Sequence, residues 1–277
     1  MYGKKRIFVI SLLLFSIFFF SSCERKQDDS DVSVTLLNTG KSDCILIRSS
    51  GKTMMIDTGY EENSSGILNF LKDNEIEYLD YLVLSHPDKD HIGGADKILR
   101  NIEVGTVYQT TAKANTKAYR EYAQALEDEN IKPVTVREIM ELSIGKAKAY
   151  IYPPMKDEYE GTNDYSLAVK VIYRETDFLF AGDAEIERME ELLVQIPDIQ
   201  SDFLKVPHHG IEKESGFFLG MVRPQIAVVT NENSWVVGEQ VMQTIGEYGG
   251  KVYFTGDGEI TVSSDGKELT LQQQTLQ

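Results

Sequence analysis

From residue 32 onward the chain alternates short apolar runs with polar turns. Residues 32–37, 44–47 and 53–56 are rich in β-branched and apolar side chains and are broken by Gly, Ser, Asp and Asn. They predict the opening strands of a sheet. Residues 64–74 place Ile67, Phe70 and Leu71 at helical spacing, and residues 79–84 form an apolar-rich run with the look of a buried strand. A short helix over 95–101 and a strand over 104–107 follow. Residues 114–130 then carry Tyr119, Tyr122, Ala123 and Leu126 on one helical face. In the second half, 167–173 and 178–180 predict strands and 185–194 a surface helix. Residues 203–206, 226–230 and 252–260 are further apolar runs. Residues 153–163, with their Pro, Gly, Tyr and Asp content, predict a loop. There is no repeat beyond this alternation of strand and helix, and no low-complexity tract.

The first thirty residues follow a different pattern. Lys4, Lys5 and Arg6 precede an almost unbroken apolar run over 7–20, and Ser21-Ser22-Cys23 follows. The run is shorter than the roughly 20 residues that a membrane span needs. It reads as a signal peptide, residues 1–22. Small residues directly before a cysteine resemble the lipobox of bacterial lipoproteins, with Phe20 where leucine is usual. That implies cleavage before Cys23 and lipidation of its thiol, an uncleaved signal anchor being the alternative. Residues 23–31, the lipidated Cys and its flexible tether, hold no large apolar side chain beyond it. The main domain is then 32–277. Cys44 is the other cysteine of two and sits in an apolar strand pattern, so it reads as a small buried hydrophobe and no disulfide framework exists.

Charge narrows the partners. With 44 acidic against 28 basic residues the formal net charge is −16. Such a surface repels polyanions at long range, which weighs against a dedicated nucleic-acid binder. A nuclease stays open, because a local basic groove or a bound cation overcomes the repulsion.

The candidate chemistry sits where the 79–84 run stops. Ser85-His86-Pro87-Asp88-Lys89-Asp90-His91-Ile92-Gly93-Gly94 delivers two of the chain's four histidines and two aspartates, then two glycines. Imidazole nitrogen with carboxylate oxygen is a ligand set for divalent transition metals. A loop leaving a rigid strand can aim His86 and Asp88 at one cation, and Asp90 with His91 at another. The remaining histidines, His208 and His209, are adjacent, and a buried pair without metal would need partners for both rings. Two decoys fall away. Asp57-Thr58-Gly59 has the aspartic-protease signature, but such enzymes need two carboxylates and the chain carries the motif once, so a protease would have to be an obligate dimer with acid-pH, metal-independent cleavage. Gly51-Lys52-Thr53 has the tail of a phosphate-binding loop, but its required upstream glycine is Leu46.

HPDKDH followed by IGG resembles the HxDxDH signature of metallo-β-lactamase-fold hydrolases, in the variant carried by the soluble catalytic domain of the competence protein ComEC. The resemblance runs from about residue 32 to 260. It includes Asn163…Ser166-Leu167 (N-x-x-S-L), Gly182-Asp183 at a strand end and Lys205…His208-His209-Gly210 (K-x-x-H-H-G). It implies an α/β fold, an αβ/βα sandwich of two mixed sheets with helices on the outer faces. It also implies a binuclear centre of Zn or Mn in which His86 and Asp88 hold one cation, Asp90, His91 and His209 hold the other, and Asp183 bridges. Asp90 also orients water, His208 meets substrate and Asp57 supports the metal loop. The adjacency of His208 and His209 leaves the reverse assignment open.

The departures are informative. Asn38–Asp43 matches the family's D-V-G-Q-G-D only at Gly40 and Asp43. The N-x-Y-G-H-P segment is replaced after residue 230, so its histidine is absent, and Trp235 stands there to shape a pocket mouth or to pack. The resemblance implies an extracytoplasmic phosphodiesterase or nuclease on the cell membrane, with DNA or a wall polymer as substrate and no obligate protein partner. The alternatives are a hydrolase of cell-wall phosphodiesters or small esters, and a catalytically weak surface binding protein on the same fold.

Overall fold

The computed structural model describes residues 31–231 and 237–274. The signal peptide, Cys23, most of the tether and Trp235 lie outside the described residues. The first sheet takes β1 (Val32–Leu36), β2 (Ile45–Ser49), β3 (Lys52–Ile56), β4 (Tyr78–Leu84), β5 (Glu103–Gln109) and β6 (Val134–Thr135). The second takes β7 (Met140–Ile144), β8 (Ala147–Tyr152), β9 (Ala168–Tyr173), β10 (Thr176–Phe180), β11 (Phe203–Lys205), β12 (Ile226–Val229) and β13 (Lys251–Phe254). The chain then returns to the first sheet with β14 (Ile260–Ser264) and β15 (Leu269–Gln273). The strand orders are β15-β14-β1-β2-β3-β4-β5-β6 and β13-β12-β11-β10-β9-β8-β7. Both sheets are mixed: β3 to β6 and β10 to β13 run parallel, the others antiparallel.

Helices cover the outer faces. Against the first sheet lie α1 (Ser64–Asp73), α2 (Lys89–Ile92), α3 (Ala95–Asn101) and α4 (Lys117–Asp128); against the second lie α5 (Ile186–Gln195), α6 (Gly216–Val222) and α7 (Glu239–Glu247). The strands' apolar runs are explained by this layering. Ile45 and Ile47 of β2 point into the inter-sheet core, while Leu46 between them packs under the α1, α3 and α4 layer. Phe178, Phe180 and Phe203 stack in the inter-sheet core with ring centroids 5.5–5.7 Å apart, a stiff base for the strand ends β10 and β11. The observed layers are the αβ/βα sandwich that the motifs imply.

Element boundaries moved in three places. The 114–130 pattern contracts to α4 because Thr116 caps it, its side chain accepting the Tyr119 N–H at 3.2 Å. The 252–260 run is not one strand: a turn at Thr255–Asp257 sends β13 and β14 into different sheets. The metal loop holds a helical turn, α2, which begins just past Asp88. Gly94 lets this turn seat on the chain beside Asp57, since a Cβ there would meet the Thr58 carbonyl oxygen at 2.6 Å.

Candidate metal centre

Strand ends from both sheets meet at one edge. His86 follows β4, Asp183 follows β10, His208 and His209 follow β11, and Thr230 follows β12. The Leu167 N–H donates to the Ser85 carbonyl at 2.9 Å and ties the sheets together there. Asp90, His91, Asp183 and His209 come together with one ligand atom each, all within 4.8 Å of one another. Asp183 Oδ2 is the hub, 3.2 Å from His91 Nε2 and 3.1 Å from His209 Nε2. Asp90 Oδ2 is 3.6 Å from His209 Nε2. His86 lies alongside, its ring 4.1 Å from that of His91, and its Nε2 is 3.8 Å from Asp88 Oδ2.

Three imidazoles are anchored in the same manner. His91 Nδ1 donates to Asp57 Oδ2 at 2.7 Å, and His209 Nδ1 donates to the Thr230 carbonyl at 2.9 Å. His86 Nδ1 has the Ser85 and Ser166 hydroxyls at 3.1 and 3.4 Å. In each ring the other nitrogen, Nε2, is buried and has no hydrogen-bond partner. A buried polar atom without a partner is costly, so three of them beside carboxylates fit a cation. Binding Nδ1 to an acceptor fixes the tautomer that leaves the Nε2 lone pair free for a metal.

The electrostatics agree. Burial disfavours charge on His91, but the Asp183 and Asp57 carboxylates outweigh it and raise its pKa well above the ordinary imidazole value. Burial likewise opposes ionisation of Asp183, yet His209, His91 and Lys205 hold it well below the usual carboxylate range. Burial, followed by the nearby His91, pushes His86 down to about 4. Burial works against ionised Asp90 too, but the His209 and His91 imidazoles bring it to about 2. The potential that draws protons onto His91 and His209 also draws a divalent cation, which displaces them.

The two adjacent histidines part company. His209 is fully buried and faces Asp183, whereas His208 is partly exposed, with Nδ1 3.4 Å from Glu185 Oε1 and Nε2 3.4 Å from the Asn163 amide. The split comes from the backbone: His208, His209 and Gly210 have φ of 48°, 51° and 73°. Two successive non-glycine residues in the left-handed region cost about 1–3 kcal/mol each. Surrounding contacts sustain this turn, among them the His208 N–H to the Gly182 carbonyl at 3.2 Å. Asp57 is buried behind the site and has a left-handed φ of 57°. The loop over 153–162 packs on α5 through Tyr159 and Glu191, and only its end, Asn163, reaches His208.

Several participants had no role assigned from the sequence. Asp43 and Lys205 are buried and joined at 2.5 Å, and the Thr230 hydroxyl donates to Asp43 Oδ1 at 2.6 Å. The Ser166 hydroxyl accepts the Asp183 N–H at 3.1 Å. Asp43, Ser166 and Lys205 fall within motif matches, which was the available signal. Glu185 and Thr230 carry none.

A four-layer sandwich with a histidine–aspartate cluster at its strand ends defines a metal-binding hydrolase-type scaffold. Residues 37–229 match the metallo-beta-lactamase superfamily, and the chain belongs to it. That superfamily consists generally of metal-dependent hydrolases. Among curated relatives the chain is similar to ComE operon protein 3 of Bacillus subtilis, 28% identical over 59% of this chain and 21% of that protein. It is also similar to Recombination protein 2 of Haemophilus influenzae, 28% identical over 96% of this chain and 32% of that one. Competence protein ComA of Neisseria gonorrhoeae is 25% identical over 73% of this chain and 27% of its own length. The chain thus spans about a third or less of the relatives it matches. Among solved structures, the metallo-beta-lactamase fold protein YhfI from Bacillus subtilis superposes with a TM-score of 0.55 at 11% identity, covering 87% of this chain and 99% of that one. CmlA, a diiron beta-hydroxylase from Streptomyces venezuelae, gives 0.53 at 13%, covering 88% and 54%. A hydroxylase on the same fold means that function has to be argued from the site.

Proposed function

We propose that this chain is a binuclear metal-dependent phosphodiesterase or nuclease, anchored through Cys23 on the extracytoplasmic face of the cell membrane. The observation that carries the reading is the set of three buried imidazoles whose unpartnered Nε2 atoms face acidic side chains. His91, His209, Asp90 and Asp183 would hold one cation, and His86 with Asp88 the other, Asp183 serving both. A bound Zn or Mn pair supplies Lewis acidity at the attacked phosphoryl group and an acidified water. Asp90 orients that water, and His208, which stands apart from the ligand cluster, meets substrate. The carboxylate-rich ligand set suits hard cations as well as Zn. Similarity to proteins named for competence and recombination favours DNA over a wall polymer. Among the described residues no helix is long and apolar enough to cross a membrane. The membrane assignment therefore rests on the sequence of residues 1–23.

A second reading, a catalytically weak surface binding protein, is favoured by the absence of any histidine after His209. One experiment separates the two. The mature chain is assayed with Mn or Zn against bis-p-nitrophenyl phosphate, single-stranded DNA and phosphorylcholine esters. Turnover that chelator abolishes supports the hydrolase. Stoichiometric metal without turnover on any of them favours the binding protein.

A further inference from the structure

We propose that Lys205, held in place by Asp43, is a positioning residue that restricts Asp183 to presenting a single oxygen to the metal centre. The inference rests on the metal-dependent reading above. Lys205 ends β11, paired in register with Phe180 on one side and Val228 on the other, and is fully buried. An ammonium group has three N–H donors. Here they have three acceptors: Asp43 Oδ2 at 2.5 Å, the Gly182 carbonyl at 3.1 Å and Asp183 Oδ1 at 3.4 Å. The two oxygens of Asp183 therefore have separate duties. Oδ1 faces Lys205, and Oδ2 faces His91 and His209 at 3.2 and 3.1 Å.

The same lysine is linked to His209. Asp43 accepts the Thr230 hydroxyl through its other oxygen at 2.6 Å, and the Thr230 carbonyl takes the His209 Nδ1 proton at 2.9 Å. One ammonium group thus braces both a shared carboxylate and an imidazole, which reach the site from different strands.

Simple electrostatics argues against this placement. A buried cation beside a site for divalent cations repels its occupants, and desolvating it is costly. Asp43 offsets the charge, so the pair as a whole is close to neutral. What remains is directional: two N–H bonds, to the Gly182 carbonyl and Asp183 Oδ1, that fix the Gly182–Asp183 turn, with the third held by Asp43. Gly182 itself has a φ of 56°, and a Cβ there would meet the Ser166 hydroxyl at 2.8 Å, so the turn has little room to adjust on its other side.

The opposing explanation is that Lys205 only neutralises Asp43. A double-variant comparison separates them. Chelator-stripped full-length protein is titrated with Mn²⁺ and Zn²⁺ by calorimetry as wild type, Lys205→Met, Asp43→Asn and the combined variant. The Zn coordination number is read by X-ray absorption. Positioning predicts that Lys205→Met binds about 10- to 100-fold more weakly. It also predicts that the combined variant stays weak, and that the coordination number rises as Asp183 turns both oxygens to the metal. If Lys205→Met misfolds because Asp43 is left unpaired, the combined variant, which buries neither charge, carries the test. Wild-type-like affinity and coordination in the combined variant overturn the proposal, and tighter binding by Lys205→Met does the same. Failure of the wild type to bind either cation removes the metal reading itself and this inference with it, an outcome distinct from the other two.

Discussion

Asp57 Oδ2 lies 2.7 Å from His91 Nδ1 and also accepts the Ser85 hydroxyl at 2.6 Å. Asp57 Oδ1 accepts the Ser85 N–H at 2.7 Å. Because the Ser85 hydroxyl is 3.1 Å from His86 Nδ1, one carboxylate steers two imidazoles, directly and through the serine. The left-handed turn at Asp57 makes this possible, and aspartate tolerates that conformation better than most residues. With both oxygens engaged, Asp57 is not an open carboxylate of the aspartic-protease kind.

Asp57→Asn keeps the shape but offers one acceptor oxygen where two are used. Cation affinity should fall about 10- to 100-fold, as for other carboxylates that orient metal-bound histidines. Titration calorimetry on folded variant protein measures it. Unchanged affinity would show that the histidines hold their orientation without Asp57.

Metal removal should destabilise the protein, because buried Nε2 atoms lose their partner. A cation at about 100 times its Kd adds about 2.7 kcal/mol to stability. Thermal unfolding with and without chelator reads this directly, and elemental analysis should return about two cations per chain. Protons compete for the same atoms. The raised pKa of His91 means that its proton is held to higher pH in the metal-free protein and must be displaced. Apparent affinity should therefore rise with pH until His91 is deprotonated and fall on acidification. A flat affinity from pH 5 to 8 would contradict this coupling.

Away from the candidate ligands, Arg188 is the largest fully buried side chain among the described residues. It donates to the Ser166 carbonyl at 2.9 Å, the Tyr152 carbonyl at 2.8 Å, Glu191 at 3.0 Å and Gln195 at 2.8 Å. Arg188→Met strands these acceptors and leaves the nearly buried Glu191 without its cation. Breaking such a pair costs about 3–5 kcal/mol. Urea unfolding should show the loss, and a change below about 1 kcal/mol would place Arg188 with the weakly contributing surface pairs.

The candidate ligands His86, Asp88, Asp90, His91 and His209 stand out in the sequence because they fall in one short stretch and one histidine pair at the ends of apolar runs, whereas Asp183 is singled out only by its match to the family motif. The strands β4 and β10 were legible for the same reason. Their partners were not. Asp43 and Lys205 are far apart in sequence, and neither lysine nor aspartate announces burial. Only the fold shows that Thr230 links them to His209. β7, at the sheet edge, and β8 beside it were not read from the sequence, although Met140, Leu142 and Ile144 alternate with Glu141 and Ser143 as in a half-buried strand. α6 escaped because Gly216 and Gly220 lower its helical propensity, and packing of Phe218, Leu219 and Val222 overrides that preference.

Asp183→Ala should cost more activity than His208→Ala. Asp183 faces His91 and His209 through Oδ2 and Lys205 through Oδ1, so on the proposed reading its loss removes a ligand and releases the brace behind it. His208 is not a member of that cluster; it lies beside Glu185 and Asn163, with Glu212 also near. Removing a group that hydrogen-bonds substrate or moves one proton typically costs about 10²- to 10⁴-fold in rate. Removing a shared metal ligand affects every interaction the cations make. Rate and metal content have to be measured on the same samples, since a lost cation and lost chemistry otherwise look alike. His208→Ala should retain its metal and lose rate, while Asp183→Ala should lose both. If His208→Ala sheds metal and His209→Ala does not, the roles of the adjacent histidines are reversed. If Asp183→Ala keeps its metal and near-normal phosphodiesterase turnover, the cations sit elsewhere along the strand ends, with His86 and Asp88 the next residues to test.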